Sequence, residues 1–193
     1  EGGDLIEGLP AYVAFKATDK NGIGAQIKGA IIDDKNDTVS TFNSLKYGIG
    51  KFLLETKPGR TYKAVCITPD KEILIKQLTF FKKTGYALQI RELTHTFEVA
   101  ITSNLNDENI TLAVHNGKKV IDAQSSRSTA GRTKFSIDKT KFSGGIYHVT
   151  AFDEKGRPVA ERLFFKRNLE KINFDVKVIR GNNGLREKIS VEA

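Results

Sequence analysis

The sequence predicts an all-β chain built as tandem β-sandwiches, and three observations lead there. Short runs alternate apolar and polar residues, clusters of turn-forming residues separate those runs, and several segments recur 83 to 86 residues apart. Period-two alternation turns one side of an extended segment to a core and the other to water. A helix needs an i, i+3, i+4, i+7 apolar face, and no stretch of ten or more residues carries one free of glycine.

In chain order, Tyr12-Val13-Ala14-Phe15-Lys16-Ala17, Ile27-Lys28-Gly29-Ala30-Ile31-Ile32 and Tyr62-Lys63-Ala64-Val65-Cys66-Ile67 read as strands. Phe97–Thr102, Ile110–His115, Ile146–Phe152 and Val159–Phe165 follow. Between them lie Asp19-Lys20-Asn21-Gly22, Asp33–Asp37, Lys57-Pro58-Gly59 and Asp153-Glu154-Lys155-Gly156, all turn chemistry. Asn and Asp before Gly suit the positive φ of tight hairpins. Strands spaced about every 8–12 residues are the pattern of a sandwich.

The repeat sets the domain expectation. Val13-Ala14-Phe15 recurs as Val99-Ala100-Ile101, Lys51-Phe52 as Lys134-Phe135, and Gly59-Arg60-Thr61-Tyr62 as Gly144-Gly145-Ile146-Tyr147. Residues 1–83 and 84–166 are therefore expected to be one seven-stranded sandwich each. Residues 167–193, with alternation at Ile172–Val178 and Lys188–Val191, read as a linker and the first strands of a truncated third module. Tyr62 and Tyr147 each follow a Pro-Gly or Gly-Gly turn. In immunoglobulin-like and fibronectin-III-like sandwiches such a tyrosine bonds back to the upstream backbone, a tyrosine corner. A structural role is expected for both.

Composition removes several functions. No apolar run approaches the ~20 residues of a transmembrane helix, so direct membrane insertion is not expected. The formal charge is +8, split as +3 over residues 1–83, +3 over 84–166 and +2 over 167–193. No basic run exceeds two residues, so a nucleic-acid partner is not expected, because phosphate binding needs cations gathered on one face. The single cysteine, Cys66, excludes an internal disulfide and reads as a strand thiol. His95, His115 and His148 lack the HxH or HExxH spacing of a local metal motif. His148 alternates outward beside Tyr147 and reads as a surface strand position. Asp33-Asp34-Lys35-Asn36-Asp37 fails as an EF-hand loop, with Lys35 in the third place and no following Gly, and reads as a polar hairpin. Neither Gly-x-Ser-x-Gly nor a P-loop occurs. No catalytic, cofactor-binding or metal-binding residue and no cofactor is expected, and the chain is not expected to be an enzyme.

The opening Glu1-Gly2-Gly3-Asp4-Leu5-Ile6-Glu7-Gly8-Leu9-Pro10, with Val13–Asp19 and Tyr47-Gly48-Ile49-Gly50-Lys51-Phe52, resembles the macroglobulin-like (MG) domains of the alpha-2-macroglobulin superfamily. The versions in large exported Bacteroidetes proteins are the most similar. Gly144–Asp153 running into Gly156–Phe165, and Leu185–Val191, carry the same likeness. It implies fibronectin-like sandwiches in an extracytoplasmic protein, at the periplasm or cell surface of a Gram-negative bacterium. It implies as partners the other domains of a larger protein and an outer-membrane or surface protein. The thioester of the trapping members needs Cys-Gly-Glu-Gln, whereas Cys66 precedes Ile67-Thr68-Pro69. The first residue, Glu1, and the missing leader read as a processed or excised piece. The leading expectation is a non-catalytic structural or interaction module. A ligand-binding module for protein, peptide or glycan, and part of a protease trap, are the alternatives.

Overall fold

Strands form where alternation has a face to bury. In the computed structural model, which describes residues 2, 4–79, 81–167, 177–179 and 190–192, β1 to β8 make the N-terminal half. They are β1 (Leu5–Ile6), β2 (Pro10–Lys16), β3 (Lys28–Asp33), β4 (Thr38–Asn43), β5 (Ile49–Glu55), β6 (Tyr62–Ile67), β7 (Ile73–Leu78) and β8 (Phe81–Lys82). The antiparallel pair β2–β5 packs on a sheet of order β4-β3-β6-β7. Ala11, Phe52 and Leu54 from the pair meet Ile31, Phe42 and Tyr62 from the sheet in one core cluster. Phe42 stacks edge-on to Phe15 at 5.0 Å and lies 5.4 Å from Phe52, so three rings close this core.

The C-terminal half is β9 (Tyr86–Glu92), β10 (Thr96–Ser103), β11 (Asn109–His115), β12 (Val120–Arg127), β13 (Arg132–Asp138), β14 (Gly145–Phe152) and β15 (Pro158–Lys166). A sheet of order β13-β10-β9 faces one of order β12-β11-β14-β15. Val99 and Ile101, Ile110, Leu112 and Val114, and Val149 are at most 2% exposed and share a second core cluster. Each such side chain stabilises the fold by roughly 1.5–3 kcal/mol through burial. The chain is all-β, with only two short 3-10 turns at Lys46–Gly48 and Lys139–Lys141 among the described residues.

The two four-stranded sheets have the same order, and the repeated residues fall on matching strands: Val13 on β2 and Val99 on β10, Phe52 on β5 and Phe135 on β13. The halves differ at their first strand. β9 completes its sheet beside β10, whereas β1 runs parallel to β8, with Leu5 opposite Phe81 and Ile6 opposite Lys82. Of the segment read as a third module, Lys177–Ile179 (β16) pairs antiparallel with Ser190–Glu192 (β17). The rest of that reading lies outside the described residues.

One turn design recurs. In the loops opening at Asp19, Asp33 and Asp153, Oδ1 of the first residue accepts the N–H groups two and four residues on. Thr68 does the same for Glu72 N–H alone. The fourth residue of each loop is left-handed: Gly22 at φ 80°, Asn36 at 66°, Lys71 at 64° and Gly156 at 73°. Positive φ thus falls on the glycine itself at positions 22 and 156, not on the residue before it as the sequence suggested. Lys71 holds a conformation that disfavours a Cβ by about 1 kcal/mol. Lys71→Gly is expected to raise stability by a comparable amount, read as a higher urea midpoint at unchanged m-value.

Candidate functional site

Tyr62 opens β6 and Tyr147 lies near the start of β14, with their rings in the two cores, 2% and 4% exposed. The Tyr62 hydroxyl accepts the Lys57 N–H at 2.8 Å, across the Lys57-Pro58-Gly59 turn. The Tyr147 hydroxyl donates to the Ser143 carbonyl at 3.2 Å and lies 3.1 Å from the Ser143 hydroxyl. The bond runs in opposite senses in the two halves. We read both as tyrosine corners. Tyr62→Phe and Tyr147→Phe are each expected to lower stability by about 1 kcal/mol, the worth of one buried hydrogen bond. An unmoved unfolding midpoint in either variant would remove that reading.

The other sequence candidates scatter. Cys66 is half-buried on β6, and burial pushes its thiol up, away from reactive thiolate. His95 sits exposed in the bend between β9 and β10. Within Asp33–Asp37, Asp33 is engaged by its own turn, and Arg60 bonds Asp33 Oδ2 and Asp34 Oδ1, each at 2.5 Å. Burial works against the Asp34 carboxylate, but the hydrogen bond and charge of Arg60 together with the backbone N–H groups of Asp34 and Thr61 outweigh it and hold the carboxyl below its ordinary value.

His115 and His148, 33 residues apart in the chain, face each other across β11 and β14. Their rings stack with centroids 4.7 Å apart and planes 9° from parallel, and His148 Nδ1 lies 3.0 Å from Glu161 Oε1 on β15. Local spacing gives no sign of this grouping, because it depends on strand register.

Two features occupy the boundary between the halves. The first is a set of backbone clamps. The Asn104 amide donates to the carbonyls of Glu7 at 3.2 Å and Lys83 at 2.7 Å, while its Oδ1 accepts Gly85 N–H at 3.1 Å. Gln89 Nε2 donates to the Pro10 carbonyl at 3.3 Å, and Leu88 N–H to Gly2 at 3.0 Å. Ile6, 1% exposed, fills the space beside Gly85: a Cβ there would lie 2.7 Å from Ile6 Cδ1. The second is a groove lined by Tyr12, Lys51, Arg91, Glu98, Lys134 and Arg162 with neighbouring backbone, four cations against one carboxylate. Glu98 bonds Arg91 at 2.8 Å, and Lys51 Nζ lies 4.7 Å from the Tyr12 ring centre. The even charge distribution along the sequence conceals this local excess.

No protein-family model matches the chain, and no curated protein does. Among solved structures, a "Biofilm associated protein - BSP domain" aligns at 14% identity and TM-score 0.39, over 88% of this chain and 29% of that one. A "Human OSCAR ligand-binding domain" aligns at 10% identity and TM-score 0.28, over 84% of this chain and 92% of that one. At these TM-scores neither alignment assigns a family, a topology or a ligand to this chain.

Proposed function

We propose that the chain is a non-catalytic spacer and docking pair, with residues 1–83 and 84–166 as two macroglobulin-like sandwiches of a larger envelope protein. The observation that supports this reading is the clamped boundary. Asn104 spends both amide hydrogens and its carbonyl on three backbone groups from the N-terminal segment and the connecting stretch. Each such bond contributes only about 1 kcal/mol, but those to Glu7 and Lys83, with Gln89 to Pro10 and Leu88 to Gly2, tie residues 84–166 to residues 1–83 and fix an orientation that a flexible linker leaves free. A fixed pair of sandwiches transmits position from one neighbour to the next, which is what a spacer does.

The groove favours a second reading, a binding module for an acidic peptide or glycan held beside Lys51, Arg91, Lys134 and Arg162. One screen separates the two. The full chain is tested for saturable binding to acidic peptides, anionic glycans and envelope proteins. The spacer reading expects no ligand whose binding is lost on Lys51→Glu with Lys134→Glu. Saturable binding abolished by that pair supports the module. Hydrolytic turnover that survives repurification would overturn both.

A further inference from the structure

We propose that His115, His148 and Glu161 form a binding site for one divalent transition-metal ion, of the zinc or copper kind, on the outer face of the β12-β11-β14-β15 sheet. The placement follows from register. His115 lies directly opposite His148, and Glu161 lies opposite Thr150, one step diagonal to His148 on the same face. Directly opposed residues of an antiparallel pair bring their Cβ atoms within about 5.5 Å, and diagonal ones remain within reach of long side chains. One donor atom from each of the three residues lies within 4.8 Å of the other two. Donors sharing a tetrahedral zinc at 2.0–2.2 Å stand about 3.4 Å apart, so partial side-chain rotation closes the set. His115 and His148 are half-buried and Glu161 is exposed, which leaves that rotation free and the site open to solution.

Thr150 Oγ1 donates to Glu161 Oε2 at 3.1 Å, and Glu161 Oε1 stands 3.0 Å from His148 Nδ1, so an ion bound by both atoms would take the place of a proton between them. His115 Nδ1 accepts Gly117 N–H at 3.1 Å, which occupies that lone pair, so ligation by either ring nitrogen of His115 gives up this one exposed bond. Two imidazole nitrogens and one carboxylate suit zinc and copper, while magnesium and calcium prefer all-oxygen sets. Three protein donors leave a coordination position open, the mark of an exchangeable site. Bound metal ties three consecutive strands of one sheet together.

The test is a Zn2+ titration of the full, untagged chain near neutral pH by calorimetry, with Mg2+ as comparator, and Cu2+ electron paramagnetic resonance on the same protein. The expected result is saturable 1:1 binding of Zn2+ without a response to Mg2+, a rise in thermal midpoint on loading, and a copper signal with two coordinated nitrogens. His115→Gln, His148→Gln and Glu161→Gln, each shown folded by circular dichroism, are expected to weaken binding about tenfold or more. Absence of saturable Zn2+ binding would overturn the site. So would binding that persists in the His115→Gln, His148→Gln double variant, or a copper signal lacking the two nitrogens.

Discussion

Ile6→Ala is expected to destabilise the chain by about 3 kcal/mol, the cost of deleting a buried branched side chain and leaving part of its volume empty. Ile6 is 1% exposed, yet it belongs to neither of the two core clusters. It sits where β1 leaves the parallel β1–β8 pair, and its carbonyl accepts the buried Thr56 hydroxyl at 3.2 Å. Its loss therefore falls on the boundary between the halves. The chain has no Trp, so tyrosine fluorescence and far-ultraviolet circular dichroism in a urea series read the change. A midpoint equal to that of the parent would remove Ile6 from the boundary account.

Gly48→Ala is expected to cost about 3 kcal/mol or more, from two sources that add. Gly48 is left-handed at φ 71°, where any Cβ is disfavoured by about 1–2 kcal/mol. A Cβ there would also lie 2.0 Å from the Ala17 carbonyl oxygen and 2.9 Å from Ala25 N, both backbone atoms that no rotamer change can move. The preceding Tyr47 is itself left-handed at φ 61°, and Gly24 packs so closely on it that a Cβ at 24 would approach its carbonyl carbon to 2.1 Å. This tight turn feeds Ile49 into β5, and Ala17 N–H closes it onto the Gly48 carbonyl at 2.8 Å. Gly59→Ala serves as the control. Gly59 has the same φ of 71° with open space around its Cβ, so it carries the conformational cost without the collision. Equal losses in the two variants would rule out the close approach as a contributor.

The elements legible in the sequence are those with one wet and one dry side. β10 and β11 bury alternate residues, Phe97, Val99 and Ile101 or Ile110, Leu112 and Val114, and their alternation is plain. β7 is less so: Ile73, Leu74 and Ile75 are contiguous and all exposed at the sheet edge, so no period marks them. β12 is an edge strand of largely polar residues, Asp122 to Arg127. The turns at Asp19, Asp33 and Asp153 are readable because one carboxylate and one left-handed residue define them. The equivalent turn at Thr68 is hidden, since Lys71 is not a residue that announces positive φ. Parallel pairing of β1 with β8, the triple role of Asn104, and the meeting of His115 with His148 and Glu161 all depend on which strands lie side by side. Local sequence carries no record of that.

The bonds of Asn104, Gln89 and Leu88 across the boundary imply that the two halves move as one rigid body. Residual dipolar couplings from backbone amides, measured on the full chain in a weak alignment medium, report that rigidity. Amides of β2–β7 and β9–β15 are expected to fit a single alignment tensor, and Ile6→Ala combined with Asn104→Ala is expected to split it into two. Two tensors of different magnitude in the unsubstituted chain would overturn the proposed spacer, because halves that tumble separately cannot hold a fixed distance.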